Sequence, residues 1–523
     1  MISALTHVGR LARANYVFAR EGVLSLVDPT PLPLPARMGL GFAKLIARPT
    51  KDSQAGRLAA ALTRLGPTYV KLGQFLATRP DVVGIAIARD LESLQDRMPP
   101  FPQAEAVLTV ERAFGRPINE VYASFGNAVA AASIAQVHRA QVVTPEGLKP
   151  VAVKVLRPGI ERRFRTDQDA FAFAAEKAES LSAEARRLRL VETAETLRRS
   201  MALEMDLRLE AAALSEMAEN TKDDPDFRVP SVDWDRTAKE VLTLEWIDGI
   251  HLSDRAALTA KGLDLKELAR AVIQSFLRHA LRDGFFHADM HPGNLFVDND
   301  GRIVAVDFGI MGRLGPKERR FLAEILYGFI TRNYRRTAEV HFEAGYVPSH
   351  HSIDDFAQAI RAIGEPIHNR AADEISMAKL LMLLFEVTSL FDMRTRPELL
   401  LLQKTMVVVE GVARSLDPKL DMWSTAEPVV REWIERHLGP AGRIEDAAGS
   451  VMEVGRFMSQ VPGLLSRGAA LLEHLDAATR NGIVLAPETV ADIGRAEARR
   501  SRWTAIALWV IAGLLAYIAW AVR

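Results

Sequence analysis

Two short stretches hold residues spaced for chemistry on phosphates. "FFHADMHPGNLFV" sets Asp289 five residues before Asn294, and "VAVDFG" sets Asp307 eighteen residues after Asp289. A carboxylate can orient an attacking hydroxyl, while an amide oxygen and a second carboxylate hold a magnesium ion that bridges phosphates. Alone, Asp289 reads as a loop cap, Asn294 as a turn residue and "DFG" as a chance tripeptide. In this order and spacing they point to phosphoryl transfer. Upstream, "VAVK" places Lys154 on an apolar strand. A lone lysine there would snorkel to solvent; beside the other groups it is expected to contact nucleotide phosphates and pair with a helix glutamate.

"LEMDLRLEAAAL" offers Glu204, Asp206 and Glu210 for that pairing. Read as one helix, Asp206 and Glu210 share a face and Glu204 points elsewhere. Glu204 and Arg208 then form an exposed i,i+4 pair. Glu210, backed by small alanines, is the expected partner of Lys154. His287 and His291 stand four apart, as zinc-binding histidines on a helix do. Pro292 and Gly293 follow at once and Ala288 stands where the zincin glutamate would be, so both histidines are read as shaping the loop.

These groups need a frame to hold them. Strand-like runs at 121–143 and 150–156 flank the turn "TPEG", and 162–220 reads as two helices. The strand "VLTLEWIDG" leads to a helix over about 265–282, and "DNDG" makes a hairpin between "NLFV" and "IVAVDFG". Helical patterns dominate from 315 to about 480. This is the order of parts in a two-lobed protein kinase. Before it, "DPTPLPLPAR" breaks the chain, and 55–98 reads helical, with Pro67 in the first turn after Gly66. The α+β reading places an N-terminal helix and linker at 1–50, a helical extension at 51–120, a small lobe at 121–250 and a large lobe at 251–440. An amphipathic region at 441–502 and a membrane span at 503–522 follow.

The span "WTAIALWVIAGLLAYIAWAV" has no charge, is 20 residues long and carries Trp503, Trp509, Tyr517 and Trp520. That is enough to cross a bilayer with aromatic anchors. "RAEARRSR" before it predicts that the bulk of the chain stays on the cytoplasmic side. Residues 451–472 read either as a helix lying on the bilayer or as one packed in the protein. Residues 1–20 hold three arginines and no acid, which suits a transit peptide or, the preferred reading, an amphipathic helix of the mature chain. With 66 basic and 66 acidic residues there is no footprint for nucleic acid, and with no cysteine there is no thiolate site.

Where a kinase would carry a glycine-rich loop, this chain has "AAASIAQVH" (130–138). Glycine lets backbone N–H groups press on phosphates through positive φ; the Cβ of Ala130, Ala131 and Ala132 costs about 1 kcal/mol or more there. The alanines are expected to restrain phosphoryl transfer. Ala288 replaces the arginine of H-R-D, and no A-P-E follows, so phosphorylation of protein substrates is disfavoured.

With these pieces the chain resembles the UbiB family of atypical kinase-like proteins, in its bacterial ubiquinone-biosynthesis branch. "KLGQ" (Lys71 to Gln74) is similar to that family's K-x-G-Q signature, "EMD" (Glu204 to Asp206) to its E-x-D signature, and "AAASIAQVH", "HADMHPGN" and "DFG" to its catalytic elements. "LLLQKTMVVVEGVARSLDPKLDMW" (400–423) is similar to the bacterial branch. Ala213 departs from the family, in which an asparagine is common at that place. From periodicity alone, Lys71 and Gln74 are the polar side of an amphipathic helix.

The resemblance implies that the K-x-G-Q helix folds over the active site, with Lys71 meeting Glu204 and Asp206 and Gln74 helping to gate it. It implies ATP and Mg2+ as cofactors: Asn294 and Asp307 for the metal, and Ala130 to Ala132, Ser133, Lys154 and Glu210 for the nucleotide. Asp289 and Lys154 are then the catalytic pair. As partners it implies membrane lipid and quinone precursors and ubiquinone-biosynthesis enzymes, and the 400–423 block favours a bacterial inner membrane; a second copy of the chain, in a homodimer, is a further candidate partner. A small-molecule kinase and a nucleotide-binding scaffold are the competing functions; the K-x-G-Q helix argues against the first, and the complete set Lys154, Asp289, Asn294 and Asp307 against the second.

Overall fold

Alternation along one strand sets the geometry of the cleft. Strand β3 (Gly147–Leu156) buries Val151, Val153 and Val155 on one face, so period two turns Lys154 to the other. The buried face meets helix α4 (Gln103–Phe114) through Ala106 and Val110, with Phe101, Val121 and Tyr122 closing that core. β3 lies in an antiparallel sheet between β2 (Ala135–Thr144), itself flanked by β1 (Ser124–Ala131), and β5 (Val241–Glu245). Burying each of those valines contributes about 1.5–3 kcal/mol.

The computed structural model describes residues 2–26, 46–48, 54–77, 98–181, 189–366, 390–393 and 397–439, with isolated positions between. The chain falls into two units, 1–434 and 435–523, and of the second only residues 435–439 are described. The proline-rich break, the 451–472 stretch, the arginine-rich flank and the 503–522 span lie outside the described residues. Among the described residues no helix is long and apolar enough to cross a membrane.

Where periodicity suggested two helices over 162–220, the described residues include α5 (Ile160–Leu181), α6 (Leu190–Glu204) and α7 (Leu207–Asn220). The break between α6 and α7 falls inside the E-x-D motif. In front of the sheet, α1 (Ile2–Arg20), α2 (Gln54–Leu65) and α3 (Pro67–Ala77) share an apolar core that includes Ala14, Val17, Leu62, Tyr69 and Val70. Asp167 of α5 fastens this extension to the small lobe: Thr68 Oγ1 donates to it at 2.6 Å, and Arg10 of α1 pairs with it.

In the large lobe, α8 (Leu265–Arg278) runs into a π-turn, His279–Asp283, capped by Gly284 at φ +65°. A Cβ on Gly284 would stand 2.5 Å from the Leu314 carbonyl, so glycine is required there. After β6 (Ile250–His251) and α8 come the short strands β7 (Phe285–His287), β8 (Leu295–Val297), β9 (Ile303–Ala305) and β10 (Met311–Arg313). β7 pairs with β10, and the sheet β4-β9-β8-β6, with β4 at Phe227–Arg228, contains the expected β8–β9 hairpin. Helices α9 (Pro316–Ile330), α10 (Tyr334–Glu343), α11 (Ile353–Gly364), α12 (Pro397–Leu416) and α13 (Met422–Leu438) complete the described part.

Candidate active site

The buried stripe of α7 is Leu207, Glu210, Ala211, Leu214 and Met217. Helical spacing therefore puts one carboxylate on the apolar face, aimed at β3. Lys154 Nζ donates to Glu210 at 2.8 and 2.9 Å and to Asp307 Oδ1 at 2.7 Å. The Phe308 backbone N–H also favours the charged Glu210 carboxylate. Asp307 sits at φ +63°, a left-handed conformation that costs a non-glycine residue about 1–2 kcal/mol and here turns its carboxylate to Lys154. Lys154 holds the Asp307 carboxyl down to about 2. Burial pulls the Lys154 ammonium pKa down, but Asp307 and Glu210 together raise it above the usual lysine range. Burial and Asp307 push Glu210 up against the attraction of Lys154.

Asp289 and Asn294 meet across the catalytic loop. Asn294 Nδ2 donates to the Asp289 carbonyl at 3.1 Å and to its carboxylate at 3.2 Å. His287, 1% exposed, accepts from the Asp289 N–H at Nδ1 (3.0 Å) and donates from Nε2 to the Val306 carbonyl (3.2 Å). Both ring nitrogens are thus occupied, and the loop is strapped to the strand that ends in Asp307. Burial lowers the His287 pKa, keeping the ring neutral. His291 Nδ1 accepts from Gly293 N–H as an N-cap. A zinc role for this pair has no support.

The alanine-rich loop is shorter than the sequence suggested. Ala130 and Ala131 belong to β1, opposite Val137 and Gln136, so the loop is only Ala132 to Ile134. None of residues 130–134 has positive φ. The Ala132 N–H donates to the Ala135 carbonyl at 2.8 Å, and Ser133 is fully buried. Sequence reasoning missed the residue that holds this turn. Arg157 donates to the carbonyls of Ala132 (3.3 Å), Ser133 (3.3 Å) and Pro99 (3.1 Å), with its guanidinium 5.2 Å from the Phe101 ring centre. Gln136 binds the Phe101 backbone on both sides, N–H at 2.9 Å and carbonyl at 3.3 Å. The loop and the 99–101 segment are therefore one fastened unit.

The two acids of the E-x-D motif separate. Lys71 Nζ of α3 lies 2.7 Å from Glu204 Oε2, with both side chains largely buried, and the Lys71 charge also reaches Asp307. Gln74, one turn further along α3, is half-buried. Asp206 does not join them. It caps α7 in an extended conformation, accepting from the Arg208 N–H at 3.1 Å and binding the Arg208 guanidinium at 2.9 and 2.6 Å. The single-helix reading fails because Asp206 makes its own N-cap and stops α6. Arg208 thus pairs with Asp206, not with Glu204.

A second residue that sequence reasoning passed over is Thr405 of α12, fully buried. Its hydroxyl lies 3.1 Å from the Ala288 carbonyl and 2.8 Å from that of Leu401, sharing one proton between them. The position of the missing arginine is thus pinned by a helix of the large lobe. The only signal was a threonine within the 400–423 block.

The donor set at the cleft fits magnesium. Asp307, Asn294 and Asp289 offer carboxylate and amide oxygens, the hard donors that magnesium takes, with no thiolate among them. Asp307 is 46% exposed despite its neighbours, so its carboxylate opens on the cleft.

Comparison with known proteins agrees with this geometry. The ABC1 atypical kinase-like domain matches residues 93–341, and the UbiB helical domain matches 360–421. A curated protein of Marinobacter nauticus, named "Probable protein kinase UbiB", is 40% identical over 448 residues, 84% of this chain and 81% of that one. One of the same name in Azotobacter vinelandii is 38% identical over 481 residues, 90% of this chain and 88% of its own. Among solved structures, the complex of Rv3197 with erythromycin from Mycobacterium tuberculosis is similar at TM-score 0.50 and 25% identity, covering 72% of this chain and 95% of that one.

Proposed function

The chain belongs to the UbiB family of ABC1 atypical kinase-like proteins, and from that premise we propose a magnesium- and ATP-dependent atypical kinase that serves ubiquinone biosynthesis at a bacterial membrane. The observation that carries this reading is the ammonium of Lys154 joined at once to Glu210 and Asp307, with Asn294 beside Asp289 in the same cleft. Bound magnesium would be held by Asp307 and Asn294 and would neutralise charge on phosphate oxygens. Lys154 binds the phosphates, Glu210 keeps it aimed, and Asp289 orients the attacking hydroxyl or water. His287 keeps Asp289 and Asp307 in register.

Two features favour hydrolysis, or transfer to a small or lipid acceptor, over protein phosphorylation. Lys71 brings α3 into the field of Asp307, leaving a peptide little room to dock. The phosphate-side turn has its Ala132 N–H already occupied, so it offers fewer donors than a glycine loop. The uncharged 503–522 segment is the basis for membrane attachment, and membrane-embedded quinone precursors are the substrates its partner enzymes would process.

The test is a quinone-precursor profile of a deletion strain carrying wild type, Asp307→Asn or Lys154→Met, with nucleotide hydrolysis by purified protein measured with and without lipid vesicles. Both variants are expected to leave precursors accumulated and hydrolysis at background. Full quinone synthesis by Asp307→Asn would replace this reading with that of a nucleotide-binding scaffold.

A further inference from the structure

Apart from the cleft residues, three ligand-type side chains from two segments of the chain converge. The turn at 348–351, between α10 and α11, presents His350 and His351, and the segment before α12 presents Asp392. His351 Nε2 lies 3.2 Å and His350 Nε2 3.7 Å from the same oxygen, Asp392 Oδ2. One donor atom from each residue falls within 4.8 Å of the other two. A tetrahedral centre with metal–ligand bonds of about 2.0–2.1 Å has ligand-to-ligand edges of roughly 3.3–3.4 Å. The two edges to the carboxylate straddle that value.

Packing fixes one of the two imidazoles, while His350 and Asp392 are largely exposed. The His351 ring, 20% exposed on its side chain, packs against Phe391 at 5.3 Å. Phe391 is anchored in a buried cluster with Tyr334, Val347, Phe356 and Ile360. Next in sequence, Asp392 has φ +47°, a left-handed conformation that non-glycine residues seldom hold. That turn directs its carboxylate back at the imidazoles. His350 lies beside His351 with ring centres 4.2 Å apart and ring planes tilted by 39°. A single His–Asp hydrogen bond would need neither the second imidazole nor the strained backbone.

We propose that His350, His351 and Asp392 bind a late first-row divalent cation of the zinc type. Two imidazoles and one carboxylate select zinc, cobalt, nickel or copper over magnesium, whose ligands in the cleft are all oxygens. Three protein ligands leave a coordination position to water. Such an ion would clamp the turn before α11 to the start of α12, the helix whose Thr405 reaches the catalytic-loop carbonyl of Ala288. The inference does not depend on which acceptor the cleft serves.

The test uses the full chain, without an affinity tag of histidines, in detergent. Titration with Co2+ alone is expected to give one equivalent of a visible-absorbing low-coordinate complex, bleached by Zn2+. His350→Ala combined with His351→Ala should weaken it at least about tenfold, the lower end of what losing even a supporting partner costs. Asp307→Asn, which removes an oxygen ligand in the cleft, should leave it unchanged. Absence of the complex from wild type, or its formation by the folded double variant with undiminished affinity, overturns the proposal. If the double variant is misfolded by circular dichroism, wild type decides alone: Zn2+ should protect His350 and His351 from diethyl pyrocarbonate in peptide mass spectra. Equal labelling with and without Zn2+ overturns the site.

Discussion

Lys154 Nζ lies 2.7 Å from Asp307 Oδ1, joining a strand of the small lobe to a cleft carboxylate of the large lobe across 153 residues of sequence. The same ammonium neutralises Glu210, 7% exposed. Lys154→Met leaves Glu210 without a cation and Asp307 with only the charge of Lys71. Breaking a buried pair typically costs about 3–5 kcal/mol; because Asp307 is partly open to solvent, about 2–3 kcal/mol is expected. Denaturant unfolding reads that loss, and turnover should fall at least about 100-fold, as when a transition-state donor is removed. Wild-type stability of Lys154→Met would show that the contact does not hold the lobes.

Lys71 and Glu204 form one ion pair, and the Lys71 charge reaches Asp307. Lys71→Ala and Glu204→Ala should each speed release of a fluorescent ATP analogue, and the double variant should be no faster than either alone. Asp206→Ala makes the contrast. It removes the cap of α7, costing about 1 kcal/mol of stability, and should leave the release rate near wild type. Additive effects at 71 and 204, or a release effect at 206 as large as theirs, would contradict the separation of the two acids.

Arg157 supplies the donors for three carbonyls around the alanine turn. Arg157→Met leaves them unpaired, and a loss of about 1–3 kcal/mol is expected. Nucleotide KM should rise about tenfold while kcat changes less, because the turn loosens and Asp289 does not move. Arg157→Lys should rescue only in part, since a single ammonium cannot span the fork of a guanidinium. A change confined to kcat would argue against the staple.

Acid should destabilise the fold in a defined window. Burial lowers the pKa of His138, His279, His287 and His341, so each stays neutral when folded. The unfolded chain takes up those protons near pH 6.5, so stability is fully present above that pH and falls as pH drops below it. Melting temperature should be flat from about pH 8 to 7 and decline between about 6.5 and 5. Turnover should decline with it, because a proton on His287 Nδ1 would oppose the Asp289 N–H that it accepts. The depressed Asp307 carboxyl acts lower, its contribution lost from about pH 4 towards 2. A melting temperature unchanged down to pH 5 would contradict the neutral-histidine assignment.

Much of the cleft could be read along the chain. Asp289, Asn294 and Asp307 announce themselves by spacing, because the loop and hairpin between them are short and local. Lys154 declares its face because strand periodicity is strict, and Glu210 does so because it sits in the buried stripe of α7 with alanine and leucine neighbours. The β8–β9 hairpin follows from its turn residues. These are properties of single elements, and periodicity with turn chemistry decides them.

The tertiary structure decided the rest. Periodicity says which side of a helix a residue occupies but not where the helix stops: the cap made by Asp206 divided one expected helix into two, sending Glu204 to Lys71 and Asp206 to Arg208. It cannot say which distant backbone a side chain will meet, so Arg157 and Thr405, whose partners are carbonyl groups, left no pattern to find. The reach of the alanine loop was settled by strand pairing that absorbed Ala130 and Ala131. Local sequence thus determined which groups face a cleft, and long-range packing determined which of them touch, because hydrogen-bond partners far apart in the chain are chosen only once the elements carrying them have docked.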